Sequence, residues 1–195
     1  MKKTIIALLL AFITFVIIYS LFYDEVFANT EEVDVAVEHN DIPIPYTDIY
    51  IGTNDFKSYM SYKAITTIDS PQFMLQELCT TDMDGFRRCA DRYVIAVGHG
   101  VGGQVGDCVD LILANGEVIY CVIGDYKQNK HTDKANLIGK NGCCSEFIVD
   151  VNLLREDIRK GGNIECGYVG WDSPVLYIRR YNINYLSIDL GGSIA

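Results

Sequence analysis

A glycine-dense bend flanked by apolar runs constrains this 195-residue chain more than any other feature. Residues 93–97 form an apolar run of strand length that is rich in β-branched side chains. Glycines follow at positions 98, 100, 102, 103 and 106. That density lets the backbone adopt positive φ and approach other segments closely. The pattern predicts a strand that ends in a tight, crowded bend.

A hairpin signal comes directly after the bend. The dipeptide Asn115-Gly116 separates the apolar runs 109–113 and 118–123. Asn-Gly in this setting predicts a β-hairpin, because a type I′ turn needs positive φ at both central residues. The second run leads into Gly124 and Asp125. A carboxylate is therefore predicted at the rim of a sheet, where functional sites are commonly built.

This arrangement resembles the double-psi β-barrel domains of bacterial cell-wall enzymes, namely the rare lipoprotein A type and the 3D-domain family of lytic transglycosylases. The matching pieces are the strand-ending Ala96, the loop pair Gly106-Asp107, the turn Asn115-Gly116 and Asp125. The resemblance implies an all-β fold, a six-stranded double-psi-like barrel. Residues 152–160, with Asn152 as a helix cap, add one short helix to this expectation.

The N-terminus has the pattern of an export signal. Two lysines precede an apolar stretch over residues 5–22, and residues 26–28 resemble a cleavage site. The stretch is long for a signal peptide, so residues 1–28 are either a cleaved signal or an uncleaved anchor through residues 4–23. Both alternatives predict an extracytoplasmic protein, secreted or anchored to the outer face of the cytoplasmic membrane.

The remaining chain is predicted to hold one domain. Residues 29–55 are acidic and contain prolines, which predicts a stalk, and residues 56–195 are assigned to the β-barrel. The formal net charge of −10 argues against nucleic acid as a partner. Neither a P-loop nor a Rossmann fingerprint is present, and no cofactor is expected.

Seven cysteines in a chain predicted to be exported indicate disulfides, with one cysteine left over. Cys79 and Cys89 are the first candidates, because Asp84-Gly85 predicts a hairpin that would bring them together. The cysteines lack the paired C-x-x-C spacing of structural zinc, so no metal site is expected.

Asp125 is the first candidate for catalysis. A carboxyl group at the end of an apolar strand can be partly desolvated, which raises its pKa and suits it to protonate a glycosidic oxygen. The alternative is an aspartate that only caps a turn. The resemblance to lytic transglycosylases implies the acid role. The rare lipoprotein A type implies that His99, between Ala96 and Gly106, assists in polarisation or proton transfer.

A long polar loop after Asp125 supplies candidate binding residues. His131, Thr132 and Asp133 form a cluster that either contacts substrate or is simply solvated. In the resembled 3D domain the next strand carries a second aspartate, and Asp150 fills that place. Glu146 shares a face of the same predicted strand and is interpreted as a solubilising residue.

These residues predict an exported envelope protein that acts on a cell-wall polysaccharide. The first hypothesis is lytic cleavage of peptidoglycan, with Asp125 as the general acid. The alternative is a non-catalytic module that uses the same barrel to bind glycan or a protein. An acidic pair in a groove would favour the enzyme, and a flat surface with Asp125 held by backbone N–H groups would favour the binder.

Overall fold

A mixed β-sheet dominates the part of the chain that the computed structural model describes, residues 44–54 and 56–189. These residues belong to a unit that begins at Pro43. The predicted signal or anchor, and the predicted stalk as far as residue 43, lie outside the described residues. Over the described ranges, no helix is long and apolar enough to cross a membrane.

The described residues form nine strands and three short α-helices. The strands are β1 (Tyr46–Asn54), β2 (Ser58–Ser61), β3 (Thr80–Thr81), β4 (Arg87–Cys89), β5 (Arg92–Gly98), β6 (Asp107–Leu113), β7 (Val118–Lys127), β8 (Ser145–Val149) and β9 (Val175–Asn184). The helices are α1 (Pro71–Leu78), α2 (Glu156–Gly161) and α3 (Tyr185–Asp189). The predominance of strands confirms the all-β prediction, whereas the prediction of one short helix is wrong.

The sheet is organised around β5. Its main path runs β1-β9-β6-β7-β5-β4-β3, and β8 joins β5 to β2. Two pairs are parallel, β5 with β7 and β2 with β8, and the other pairs are antiparallel. Strand β5 thus contacts β4, β7 and β8, which explains why its residues Val94–Val97 are wholly buried.

Alternate residues of β5 enter two different hydrophobic cores. Ile95 and Val97 lie in the larger core, and Val94 lies in the smaller one. This is the alternation expected of a strand that is covered on both faces. Edge-to-face aromatic contacts fill the larger core, in which Phe86 meets Phe147 at 5.7 Å between ring centroids. Trp171 packs against the same core.

Both predicted hairpins are present. Strands β6 and β7 flank Asn115-Gly116, and β3 and β4 flank Asp84-Gly85. The first turn differs from the predicted type I′, because Gly116 has a φ of +90° but Asn115 is not among the positive-φ residues. The Leu113 N–H instead bonds the Glu117 carbonyl. The loop therefore has three residues, 114–116, and Cys121 pairs with Val109.

Two segments differ from the predicted outline. Residues assigned to the end of the stalk form β1, which pairs with β9 along most of its length, so the sheet begins before residue 56. The C-terminal segment forms one long strand, β9, followed by helix α3. The predicted helix over 152–160 begins only at Glu156, because the Asp150 carboxylate accepts the Asn152 N–H and closes a turn there.

Candidate functional site

Two carboxylates flank Ala96 in the centre of the sheet. Ala96 pairs with Asp125 of β7 on one edge of β5 and with Glu146 of β8 on the other. Directly paired residues project from the same face, so two strand spacings, about 10 Å, separate the Cα atoms of the two acids. The small Ala96 side chain leaves the space between them open.

Gly124 makes this register possible. The pairing of β5 with β7 shifts by one residue between Ile95 and Ala96, and Gly124 is the extra residue of β7. A Cβ atom at position 124 would collide with the side chains of Val94 and Ile148. The absence of a side chain therefore lets β7 bulge and carry Asp125 opposite Ala96.

Asp125 lies at the junction of two cavities. The larger, about 430 Å³, is lined by Met60, Ala96, Asp125, Tyr126, Lys127, Gln128, His131, Lys140, Asn141 and Glu146. The smaller, about 340 Å³, is lined by Ala64, Ile65, Thr66, Thr67, Ser70, Gln72 and Asp125. Asp125 is common to both linings. We refer to these two cavities, which share Asp125, as the groove.

The surroundings of Asp125 favour its protonated form. Burial raises the pKa of the carboxyl group, and the negative charge of Glu146 adds to the rise. Hydrogen bonds from the Tyr126 backbone and from Gln72, together with the charge of His99, oppose the rise in pKa without cancelling it. The Gln72 bond is long, 3.4 Å from Nε2 to Oδ1.

Glu146 forms an ion pair with Lys127. The Lys127 Nζ lies 2.9 Å from Glu146 Oε1, and Asn141 Nδ2 donates to the same oxygen at 3.0 Å. Lys127 is two residues after Asp125 on β7 and so lies on the same face of the strand. The expectation that Glu146 is a solubilising surface residue is therefore wrong, because its side chain is mostly buried in this ion pair.

Cys143 lies behind the same ion pair. Its Sγ is 2.8 Å from Lys127 Nζ, 3.1 Å from Ser58 Oγ and 3.0 Å from Asn141 Oδ1. The cysteine is fully buried, whereas Lys127 and Asn141 line the larger cavity. A thiol, an amine, a hydroxyl and two acids thus converge within the neighbourhood of Ala96.

His99 and His131 occupy different positions around this groove. His99 begins a 3₁₀ turn after β5, stacks on Tyr126 at 4.7 Å between ring centroids and has Nδ1 at 2.9 Å from Asn129 Oδ1. His99 is exposed, and its charge lowers the pKa of Asp125. His131 lines the larger cavity together with Asp125.

Thr132 and Asp133 hold the loop that carries His131. The Thr132 hydroxyl donates to the Asn129 carbonyl at 3.0 Å, and Asp133 Oδ1 accepts the N–H groups of Leu137 and Ile138. The loop packs on the glycine bend, since Gly100 N–H bonds the Asn136 carbonyl at 2.9 Å. A Cβ atom at Gly98 would strike that carbonyl, which is the close approach that the glycines allow.

Asp150 lies away from the groove. It follows the far end of β8, and its carboxylate accepts the Asn152 N–H at 3.0 Å. Four residues of extended chain, about 13 Å, separate it from Glu146. The structure therefore brings Asp125 and His131 together, with His99 beside them, but does not bring Asp150 to the same cavity.

Cys79 and Cys89 meet across the β3–β4 hairpin. A hydrogen bond between the two thiols, with burial, raises the pKa of Cys79. None of the six cysteines whose side chains are described lies at disulfide-bonding distance from another. A disulfide between these two residues stays a prediction.

Lys127, Asn141, Cys143 and Glu146 were not predicted as site residues. A local signal existed for Lys127, which alternates with Asp125 along one strand. The other three come from a segment whose position depends on β8 pairing with β5, and no local pattern reports that pairing. Among the described residues, no group of three or more His, Cys, Asp or Glu side chains is arranged to hold a metal ion.

Comparison of the chain with family models, with curated proteins and with solved structures finds no match in any of the three. The groove must therefore be interpreted from its own geometry and chemistry.

Proposed function

We propose that this chain is an exported cell-envelope enzyme that cleaves the glycan strands of peptidoglycan lytically, with Asp125 as the general acid. We further propose that strands around β5 form a six-stranded double-psi-like barrel. Two parallel pairs, β5–β7 and β2–β8, joined through the antiparallel pair β5–β8, support this topology. The export pattern at the N-terminus supports the location.

The observation that carries the proposal is the groove around Asp125. A general acid needs a proton at working pH and access to the scissile oxygen. Burial raises the pKa of Asp125, and this residue lines two cavities. A polymer lying across both cavities would place a glycosidic bond at that point.

Asp125 and Glu146 suit different tasks because their environments differ. Asp125 would donate its proton to the glycosidic oxygen as the bond to the sugar C1 breaks. The Glu146 carboxylate, paired with Lys127 at 2.9 Å, would stabilise positive charge that develops on that carbon. The sugar's own 6-hydroxyl would then attack C1 and return a proton to Asp125, giving an anhydro-sugar end.

A non-catalytic glycan-binding module is the second candidate. Exposed tyrosines on the β1, β7 and β9 strands favour it, namely Tyr46, Tyr50, Tyr120 and Tyr177. Such rings can stack on sugars. The hydrogen bonds that Asp125 accepts from Gln72 and the Tyr126 backbone also favour a positional role for this residue.

The test is release of soluble fragments from purified peptidoglycan by the wild-type chain and by Asp125→Asn. We expect anhydro-sugar products from the wild type and a loss of at least about 100-fold in the variant, the scale of general acid catalysis. Asp172→Asn is the matched control, because Asp172 is exposed and lines a separate cavity. Equal binding of the polymer by all three proteins without product would support the binding module and contradict the enzyme.

A further inference from the structure

The contact between Lys127 and Cys143 is unusual for a buried cysteine. Sulfur and amine nitrogen lie 2.8 Å apart, and Ser58 and Asn141 fix the sulfur from two other sides at 3.1 and 3.0 Å. The Lys127 side chain is only 7% exposed and Cys143 is fully buried. The amine and the sulfur are therefore held in hydrogen-bonding contact but are not covalently bonded.

Other buried cysteines of the sheet have a different environment. Burial raises the pKa of Cys121, and it raises the pKa of Cys144 to about 11, which keeps both as unreactive thiols. Cys143 touches an ammonium group, the setting in which cysteines react with oxidants. Lys127, Asn141 and Glu146 line the larger cavity and also contact the Cys143 sulfur, so movement of these side chains would open a path from the cavity to it.

We propose that Cys143 and Lys127 form a covalent sulfur–nitrogen cross-link when the protein meets a peroxide. In the first step the sulfur attacks one peroxide oxygen, the O–O bond breaks, and a sulfenic acid and one water form. In the second step the Lys127 amine attacks that sulfur, the S–O bond breaks and a second water leaves. One peroxide is reduced to two waters, and the sulfur is oxidised by two electrons.

Glu146 makes the second step possible. An ammonium group has no lone pair and must first lose a proton. Glu146 Oε1 lies 2.9 Å from Lys127 Nζ and can accept that proton. The condensation therefore has all its parts: the oxidised Cys143 sulfur is the electrophile, the Lys127 amine is the nucleophile and Glu146 is the base.

The cross-link would also alter the groove. It removes the positive charge that is paired with Glu146, on the same face of the sheet as Asp125. An effect on glycan cleavage rests on the proposed function, but formation of the bond does not. The two are separated by measuring the bond itself.

The experiment treats the reduced full chain with hydrogen peroxide and maps the tryptic peptides by mass spectrometry. Trypsin cuts after Lys130, Lys134 and Lys140, so the peptides that carry Lys127 and Cys143 normally separate. We expect residues 93–130, uncut after Lys127, to be joined to residues 141–155, with a mass lower than the sum of these two peptides by two hydrogen atoms. Cleavage after Lys127 should be lost, and dithiothreitol should restore it.

Three variants locate the bond. Lys127→Arg keeps the positive charge but presents a poor nucleophile, and Cys143→Ser removes the sulfur, so both should lose the cross-link. Cys144→Ser should retain it. The wild-type result alone decides the proposal if a variant folds poorly. Cys143 recovered as a sulfinic acid, as a disulfide or as an unmodified thiol, with Lys127 still cleaved, would overturn it.

Discussion

Two aspartates on neighbouring strands, Asp110 on β6 and Asp125 on β7, are held in opposite ways. Asp110 is 2% exposed, and its two oxygens accept from Arg92 at 2.7 Å and from the Tyr181 hydroxyl at 2.6 Å. Asp125 faces two cavities and receives one long side-chain hydrogen bond. The Asp110 carboxylate thus has its hydrogen-bond partners within the protein, whereas the Asp125 carboxylate has room to bind a ligand.

The Asp110 network also fixes its neighbours. Burial and the bond to Asp110 raise the pKa of Tyr181 to about 12, so the phenol keeps the proton that it donates. Arg92 additionally donates to the Val109 and Cys121 carbonyls. These contacts connect β5, β6, β7 and β9, and they have no counterpart around Asp125.

The largest expected effect on stability is that of Asp110→Asn. This change leaves Arg92 largely buried without an anion, and we expect the free energy of unfolding to fall by about 3 kcal/mol. The same substitution at position 125 is the matched comparison, expected to cost nothing near neutral pH. Denaturant titration of both variants measures the contrast. Equal losses would show that Asp125 is as deeply integrated as Asp110.

Gly124→Ala should disturb the open site without touching its charge. The added methyl collides with Val94 and Ile148, so we expect a loss of about 1–3 kcal/mol in the free energy of unfolding. Because the bulge sets the register of Asp125, the position of this residue in the groove should change as well. Gly142→Ala is a useful reference, since nothing lies within 4 Å of a Cβ atom there, although its φ of +86° adds strain of its own. A wild-type stability for Gly124→Ala would contradict the described packing.

The pH dependence of stability should differ between wild type and Asp125→Asn. Burial raises the pKa of Asp125 above its ordinary value of 3.8, so the folded state favours the protonated acid. Wild-type stability should therefore fall relative to the variant as pH rises from the unfolded pKa through the folded one, and the difference should then stay constant. Unfolding midpoints recorded between acidic and neutral pH give the difference. The opposite slope would mean that the folded state stabilises the ionised form.

The smallest expected effect concerns the ion pair between Asp48 and Arg179. Arg179 donates to both carboxylate oxygens, at 2.7 and 2.9 Å, and lowers the pKa of Asp48, but about a third of each side chain is exposed. Asp48→Asn should cost less than about 1 kcal/mol, and high salt should shrink that loss further. Unfolding titrations at low and high ionic strength provide the measurement. If Asp48→Asn lowered the free energy of unfolding as much as Asp110→Asn does, burial would not explain why the two ion pairs differ in their contribution to stability.

The sequence predicted features that depend on neighbouring residues. The hairpin at Asn115-Gly116, the strand before the glycine bend and the position of Asp125 at a strand end all follow from local patterns. The turn type was wrong because Gly116 alone takes positive φ, so the strand register moved by one residue. The Asn-Gly dipeptide predicted the hairpin but not the number of residues in its loop.

The composition of the groove could not be predicted in the same way. Glu146 faces Asp125 because β8 and β7 pair with opposite edges of β5, and because Gly124 adds one residue to β7. Both conditions depend on contacts between distant segments. Alternation along the strand predicted that Glu146 and Asp150 share a face. It could not predict that Glu146, and not Asp150, pairs with Ala96, because that depends on the register of β8 on β5.

The central place of β5 has a kinetic consequence. Strand β5 precedes both β7 and β8, its two long-range partners, in the chain. Until those strands are in place, the segment Val94–Val97, which is wholly buried in the folded protein, lacks its strand partners. Closure of such distant pairs is slow, and exposed strand edges invite pairing with other chains. We therefore expect the pairing of β7 and β8 with β5 to limit the folding rate of this domain, whatever the groove binds.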